Sequence, residues 1–413
     1  MMREKRNMPK LSFPEFNNLW IEKTLSELLE FKNGLNAPKE NYGSGEKFIN
    51  VLDIIQNDYL IHDRIIGSVQ VIPAVFEKYK VEFGDILFQR SSETREEVGQ
   101  ANVYLDTTRP ATFGGFVIRG KKVGEYDPAF LNYLLKTQSS RNEITSKSGG
   151  STRYNVGQET LSQVTITTTS LPEQQKIATF LTAVDRRIKL LEQKKEKLEA
   201  YKKGVMQQLF SRQIRFKQDD GSVFPEWVEK KLGEVAKFSK GKGISKSDIS
   251  ESGELKCIRY GQLYTEYGEV IDQVVSRTEC KPSTLILSEA NDVIIPSSGE
   301  TQIDIARAAC VLKSGIALGG DLNIIRSPLN GVFLSFYLNH RRKHQIAKMA
   351  QGISVVHLYN SQLVHLEIEI PCDEEQGKIV SFLRSLNEIT EKLTFQINQT
   401  QTWKKGLLQQ MFI

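Results

Sequence analysis

One long helical phrase occurs twice in this chain, and any fold must accommodate both copies. The first runs from Pro172-Glu173-Gln174-Gln175-Lys176-Ile177 to Lys202-Lys203-Gly204-Val205-Met206-Gln207-Gln208-Leu209-Phe210. The second runs from Glu375-Gln376-Gly377-Lys378-Ile379 to Lys404-Lys405-Gly406-Leu407-Leu408-Gln409-Gln410-Met411-Phe412. A constant offset of 202 positions relates them without a gap. Self-similarity on this scale decides architecture before local propensity does. Apolar residues of the first copy fall at Ile177, Leu181, Val184, Ile188, Leu191, Leu198, Val205 and Leu209, in steps that skip Lys195 and Lys202. Those of the second fall at Ile379, Leu383, Leu386, Leu393, Ile397, Leu407 and Met411, interrupted by Thr390, Thr400 and Lys404. Steps alternating four and three make a heptad seam, which keeps one stripe of a helix facing a partner. With no proline inside, each copy would extend about 57 Å at 1.5 Å per residue, which is long for a globular helix. The nearest partner for each seam is the other copy; the alternative is two amphipathic helices, each packed on its own domain.

The repeat extends beyond the helices. Phe13-Pro14-Glu15 leading to Trp20-Ile21-Glu22-Lys23-Thr24-Leu25 returns as Phe224-Pro225-Glu226-Trp227-Val228-Glu229-Lys230-Lys231-Leu232. The chain therefore reads as entrance, domain, helix, and again entrance, domain, helix. Each entrance is followed by a polar glycine loop, Lys32-Asn33-Gly34 and then Lys240-Gly241-Lys242-Gly243-Ile244-Ser245-Lys246. Such a loop suits either close approach of a phosphate ligand or an ordinary surface turn; the spacing is not that of a Walker loop. Residues 48–55 and 257–264 have strand-like composition. Residues 84–94 and 291–301 each read as a turn, a short apolar strand and a hydroxyl-rich loop. Residues 130–136 and 332–346 look helical. Gly/Ser/Thr loops at 148–155 and 351–357 precede a last strand, near 164–166 and 366–370. The expected fold class is α+β, with a first mixed domain at 1–170, a long helix at 171–210, a second, similar domain at 211–370 and a second long helix at 371–413.

The length of 413 residues permits two to three domains. A net charge of +5 and a pI near 8.8 permit nucleic-acid binding without demanding it. Cys257, Cys280, Cys310 and Cys372 are scattered, so neither a disulfide framework nor a zinc knuckle is expected, and a reducing cytoplasm fits. No apolar run has membrane-spanning length. Residues 1–10 are charged with no apolar stretch following, unlike a secretory signal; Met8 offers an alternative start.

Motifs for catalysis are missing. His340 and His344 are four apart, but the residues between them are Arg and Lys, so there is no H-E-x-x-H general base. The cluster reads as a basic patch facing solvent or phosphate. No proline follows another, which removes the N/D-P-P-Y loop of amino-methyltransferases. Phe113-Gly114-Gly115-Phe116 reads as a turn rather than a methyl-donor loop. Neither G-x-S-x-G nor a P-D…E-x-K nuclease pair is present. No catalytic residue, metal or cofactor is therefore expected on this chain.

Taken in order, four features make the chain resemble the specificity subunit of a type I restriction-modification enzyme. They are the duplicated helix opening (Pro172 to Ile177, stretched as Pro371 to Ile379), the duplicated K-K-G-x-x-Q-Q-x-F ending, the F-P-E…W entrances and the Gly84-Asp85-Ile86-Leu87-Phe88-Gln89-Arg90-Ser91 stretch. The resemblance covers nearly the whole chain. It implies two target-recognition domains, each reading half of a split site on double-stranded DNA. It implies long helices that pair antiparallel as a coiled coil, hold the domains apart and dock methyltransferase subunits, two in number. Those partners would bind AdoMet, and through them restriction subunits would bring ATP and Mg. The chain departs from the pattern in the polar middle of its second helix. Candidate phosphate or base contacts are Lys32, Arg90, Arg95, Lys147, Thr152 and Arg153 in the first domain. In the second they are Lys240, Lys242, Lys246, Arg259, Tyr260, Arg341 and Arg342. For each, the competing role is a solvated side chain. Two other classes stand beside this one: a stand-alone DNA methyltransferase or nuclease, and a coiled-coil adaptor without DNA specificity.

Overall fold

A computed structural model describes residues 8–352 and 354–413. The leading residues 1–7 and Ile353 of the second Gly/Ser loop lie outside the described part. The chain divides into two compact units, Met1–Glu192 with Phe395–Ile413, and Gln193–Thr394. Both breaks fall at the same position of the helical repeat, so each unit holds half of each long helix.

Within the first unit, the strand Ile21–Thr24 pairs antiparallel with Thr165–Thr168, Ile21 opposite Thr168. A four-stranded sheet follows in the order Leu29–Asn33, Val117–Lys122, Ile86–Gln89, Ala101–Val103. The second unit repeats this plan. Val228–Lys231 pairs with Glu367–Ile370. Its sheet runs Lys237–Lys240, Leu322–Arg326, Asp292–Pro296, Ala309–Val311, with Val270–Ile271 added at the edge. Central strands are apolar on both faces because both are covered. Ile86, Leu87 and Phe88 are buried, as are Val293, Ile294 and Ile295. One face packs on a helix, Pro128–Leu135 or Gly331–Tyr337, and the other on a smaller distal sheet.

The long helices span Leu171–Phe210 and Asp373–Met411. In the first unit, Ile177, Leu181, Val184 and Ile188 share a core with Leu407, Met411 and Phe412. In the second, Val205, Met206, Leu209 and Phe210 share one with Ile379, Val380 and Leu383. The start of one helix thus meets the end of the other in each unit, which is antiparallel pairing. Among the seam residues named from the sequence, Leu191 and Leu198 are only half-buried, while the rest are buried.

Each helix ends in an aromatic plug. Phe412 sits 6.1 Å from Trp20 and 5.4 Å from Phe130. Phe210 sits 6.2 Å from Phe333, which is 5.8 Å from Trp227. The repeated opening is a lock on the same cores. Gln174 accepts a hydrogen bond from the backbone N–H of Asp127 (3.0 Å), and Gln376 from that of Asn330 (2.9 Å). Asp127 and Asn330 are the N-caps of the covering helices, so a buried glutamine fastens each capping residue to a long helix. Lys176 lies 5.4 Å above the ring of Phe13 and Lys378 5.6 Å above Phe224, joining helix opening to entrance by a cation–π contact. Glu375 accepts from Trp227 Nε1 (3.0 Å) and Arg215 (2.9 Å).

Two of the three lysines that interrupt the seams, Lys202 and Lys404, have a matching explanation. Lys202 lies 5.5 Å over Phe336 and Lys404 5.7 Å over Tyr133. Lys404 also pairs with Asp185 at 2.5 Å, and the Tyr133 hydroxyl donates to Asp185 at 2.6 Å. A partner charge and an aromatic face make a half-buried lysine tolerable on a seam.

Three sequence expectations change. Residues 48–55 are not one strand: Tyr42–Ile49 is a strand and Val51–Gln56 a helix. Asn50 and Asp53 form a capping box, with Asn50 N–H donating to Asp53 at 2.8 Å. Residues 257–264 break the same way, into the strand Leu255–Ile258 and the helix Gln262–Thr265. Finally, the helix expected at 332–346 contains a π turn, Leu338–Arg342. That turn sets His340 parallel to Phe210 at 6.3 Å and 3.5 Å from Glu269. His340 thus caps the end of the long helix from outside the core and stays exposed to solvent. Burial would raise the Glu269 carboxyl, but the His340 hydrogen bond and the Lys202 charge bring it down to about 2.

Candidate nucleic-acid interface

In each unit the central strands deliver a set of loops to one sheet end. In the first unit these follow Asn33 and Gln89 and precede Val117. The Gly/Ser loop joins them because Ser91–Ser92 pairs with Tyr154–Asn155. In the second, Ser298–Gly299 pairs with Val356–His357. The hydroxyl-rich loops read from the sequence are thus brought together with the Gly/Ser loops in both units. Gly150 (φ +119°) and Gly352 (φ +125°) hold the tips in a left-handed conformation that suits glycine.

The glycine loops after the entrances have a structural role. A Cβ on Gly34 would lie 1.9 Å from the carbonyl oxygen of Gly114, and one on Gly241 2.0 Å from that of Gly319. Those glycines permit one backbone to cross another, which accounts for them without a ligand.

The candidate contact residues separate into groups. Arg90, Arg95, Lys147, Thr152 and Arg153 are exposed around the first loop cluster. Arg90 donates to Gly115 O (3.4 Å) and Arg95 to Thr145 O (3.1 Å). Lys147 closes the same helix end, paired with Glu143 at 3.4 Å. Lys32 is half-buried, donating to Lys78 O (3.0 Å) with its ammonium 4.9 Å over Tyr79. Burial and then the Arg119 and Lys78 charges hold its pKa below the ordinary lysine value.

In the second unit Lys240, Lys242, Lys246 and Tyr260 are exposed and Arg259 half-buried. Tyr260 packs edge-on to Tyr264, whose hydroxyl donates to Ser298 O at 3.2 Å, so it borders the loop cluster. Arg341 and Arg342 do not join this group. Both point at Glu369, at 3.5 and 3.2 Å, where Arg212 also pairs at 2.8 Å. Arg342 is 9% exposed. A carboxylate facing three guanidiniums ties the π turn to the closing strand, and this pairing replaces the nucleic-acid role expected for Arg342.

Sequence reasoning passed over other residues at these ends. Tyr359 is exposed beside His357, the rings 6.2 Å apart, and His357 Nδ1 lies 3.3 Å from Ser298 Oγ. Phe116 is 65% exposed next to Arg90. Phe116 directly follows a Gly-Gly turn, a signal that a search for basic residues does not register, whereas Tyr359, seven residues beyond Gly352, carries no such mark.

The family described as type I restriction modification DNA specificity domain matches residues 17–200 and again 225–400. A Methanocaldococcus jannaschii protein described as type I restriction enzyme MjaX specificity subunit is 24% identical over 98% of this chain and 95% of its own length. The MjaVIII specificity subunit of that organism is 23% identical over 68% of each chain. Among solved structures, the type I restriction-modification S subunit from M. genitalium covers 98% of this chain and 99% of its own, with TM-score 0.56 and 18% identity. The HsdS subunit from Thermoanaerobacter tengcongensis covers 95% and 96%, with TM-score 0.50 and 17% identity.

Proposed function

We propose, for a chain that belongs to the type I restriction-modification DNA specificity family, that each unit reads one half of a split, asymmetric DNA site. The observation that carries this is the duplicated loop cluster, built on the same strands in both units but fitted with different side chains. A shared frame with divergent tips suits two readers of different sequences. Arg90, Arg95, Lys147, Thr152 and Arg153 would supply contacts in the first, and Lys240, Lys242, Lys246, Arg259 and Tyr260 in the second. Most of the affinity would come from phosphates and the discrimination from base edges. Lys32 and Arg341, tied to protein partners, are secondary candidates.

The helices are the docking surface in this proposal. Their seams are filled, yet Tyr201 and Trp403, at the same position of the repeat, are 54% and 51% exposed. Exposed aromatics are typical anchors of protein interfaces. Two equivalent anchors suit two methyltransferase subunits, which would carry AdoMet and recruit the ATP- and Mg-dependent restriction subunits. The chain itself would perform no chemistry and would work in the cytoplasm, beside the DNA.

The test is co-expression with a methyltransferase partner, followed by single-molecule sequencing of host DNA. The expected result is methylation of one two-part motif with the partner present and none by the purified chain alone. Methyl transfer by the chain alone would establish a stand-alone enzyme. An assembled complex with no sequence preference would establish an adaptor.

A further inference from the structure

The two units share one turn down to its hydrogen bonds. In the first it is Gly114-Gly115-Phe116, in the second Gly319-Gly320-Asp321. The N–H of Gly114 donates to Ile49 O (3.0 Å) and that of Gly319 to Ile258 O (2.9 Å). Val117 N–H donates to Gly114 O (2.8 Å) and Leu322 N–H to Gly319 O (3.2 Å). The carbonyl of Phe116 accepts from Arg90 N–H (2.9 Å) and that of Asp321 from Ser297 N–H (2.8 Å). Leu35 N–H donates to Phe113 O and Lys242 N–H to Leu318 O, both at 2.9 Å. The backbone is fixed from all sides, and in both units the last residue of the turn is exposed. What differs is that side chain: a phenyl ring in one unit, a carboxylate in the other.

We infer that this turn is a base-reading finger, with Phe116 contacting a thymine methyl in the first half-site and Asp321 accepting from a cytosine amino group in the second. The inference rests on the two-reader proposal and names the determinant within it. A phenyl ring neither donates nor accepts, so at a base edge its match is the thymine methyl. It is 65% exposed, in a groove shared with the exposed Leu52 and Ile66 and with the Asn36 and Asn50 amides. Asn36 reaches this place because residue 115 is glycine; a Cβ there would lie 2.0 Å from Asn36 Oδ1. Arg90, bonded to Gly115 O, puts a cation beside the ring and faces the groove toward DNA rather than toward an apolar peptide. Asp321 has the opposite logic. Phosphates repel a carboxylate, so on a DNA-facing turn its match is a base donor, and cytosine N4 is the usual partner of an acidic side chain. The cations Lys240 and Lys242 flank the same loop end and would hold the phosphates.

The test uses the complex with its methyltransferase partner. Phe116→Ala is expected to accept any base at one position of the first half-site, with the second half-site unchanged. Phe116→Leu, which keeps the apolar contact, is expected to retain the parental motif. Asp321→Asn should relax one C·G position of the second half-site alone. On synthetic duplexes, uracil in place of that thymine should weaken binding several-fold for the parent and not for Phe116→Ala. Parental stringency in both Phe116→Ala and Asp321→Asn would overturn the inference while leaving a two-part motif intact. A uniform loss of affinity across all sequences would overturn it too, since that is the signature of a phosphate contact. A parental complex that modified no two-part motif would overturn the underlying proposal instead.

Discussion

Replacing Leu383 by glutamate is expected to leave the second unit unfolded at room temperature, and Leu181→Glu to do the same to the first. These leucines occupy the same position of the helical repeat, and both are 0% exposed. Leu181 sits among the residues that join the helix opening to Leu407 and Phe412. Leu383 sits in the corresponding cluster with Val205 and Leu209. Removing a buried leucine costs about 2–5 kcal/mol, and a buried charge without a partner adds several more. Domain stabilities are about 5–15 kcal/mol, so the sum consumes most or all of the margin. Leu191→Glu is the matched control. Its half-buried side chain can turn the charge into water, and a loss of no more than about 1–2 kcal/mol is expected. Thermal unfolding followed by circular dichroism separates these cases. A Leu383→Glu protein melting within a few degrees of the parent would mean that the seam is not what closes the unit.

Lengthening both long helices by four residues, after Glu192 and after Thr394, should move the two half-sites apart without altering either. These are the positions where each helix passes from one compact unit to the next. They match under the repeat offset, so equal insertions keep the pairing in register. A four-residue insertion is a stutter, which locally unwinds a coiled pair without breaking it. It adds about 6 Å, close to two base pairs at 3.4 Å each. The methylated motif of the variant is therefore expected to carry a spacer longer by one or two base pairs. A change of recognised bases at constant spacing would show that helix length does not set the interval.

Much of this architecture was legible because repeats expose constraint twice. Glu-Gln-x-Lys-Ile recurs because one glutamine must hold the N-cap of a covering helix, at Asp127 and at Asn330. The lysine must lie over the entrance phenylalanine. The terminal phenylalanine recurs because each long helix ends inside a core. The misreadings have local causes. Val51-Leu52-Asp53-Ile54-Ile55 has strand composition, and only the Asn50–Asp53 box turns it into helix. Arg342 looked solvated because nothing in its own segment announces Glu369, which arrives from the closing strand. The reader tips were the least legible. A side chain there is chosen for what it meets on DNA, so neither periodicity nor propensity marks it; Phe116 and Asp321 became visible only when two identical turns could be laid side by side.

The independence of the two readers is the central claim, and one measurement reaches it most directly. Residues 237–363 lie inside the strand pair Val228–Lys231 and Glu367–Ile370 that closes the second unit. They are exchanged for the matching segment of a relative with a different target. The chimera is expressed with the parental methyltransferase partner, and its methylated motif is read by single-molecule sequencing. The account predicts a motif whose first half and spacer are parental and whose second half is the relative's. A motif altered in both halves, or unaltered in both, would contradict it.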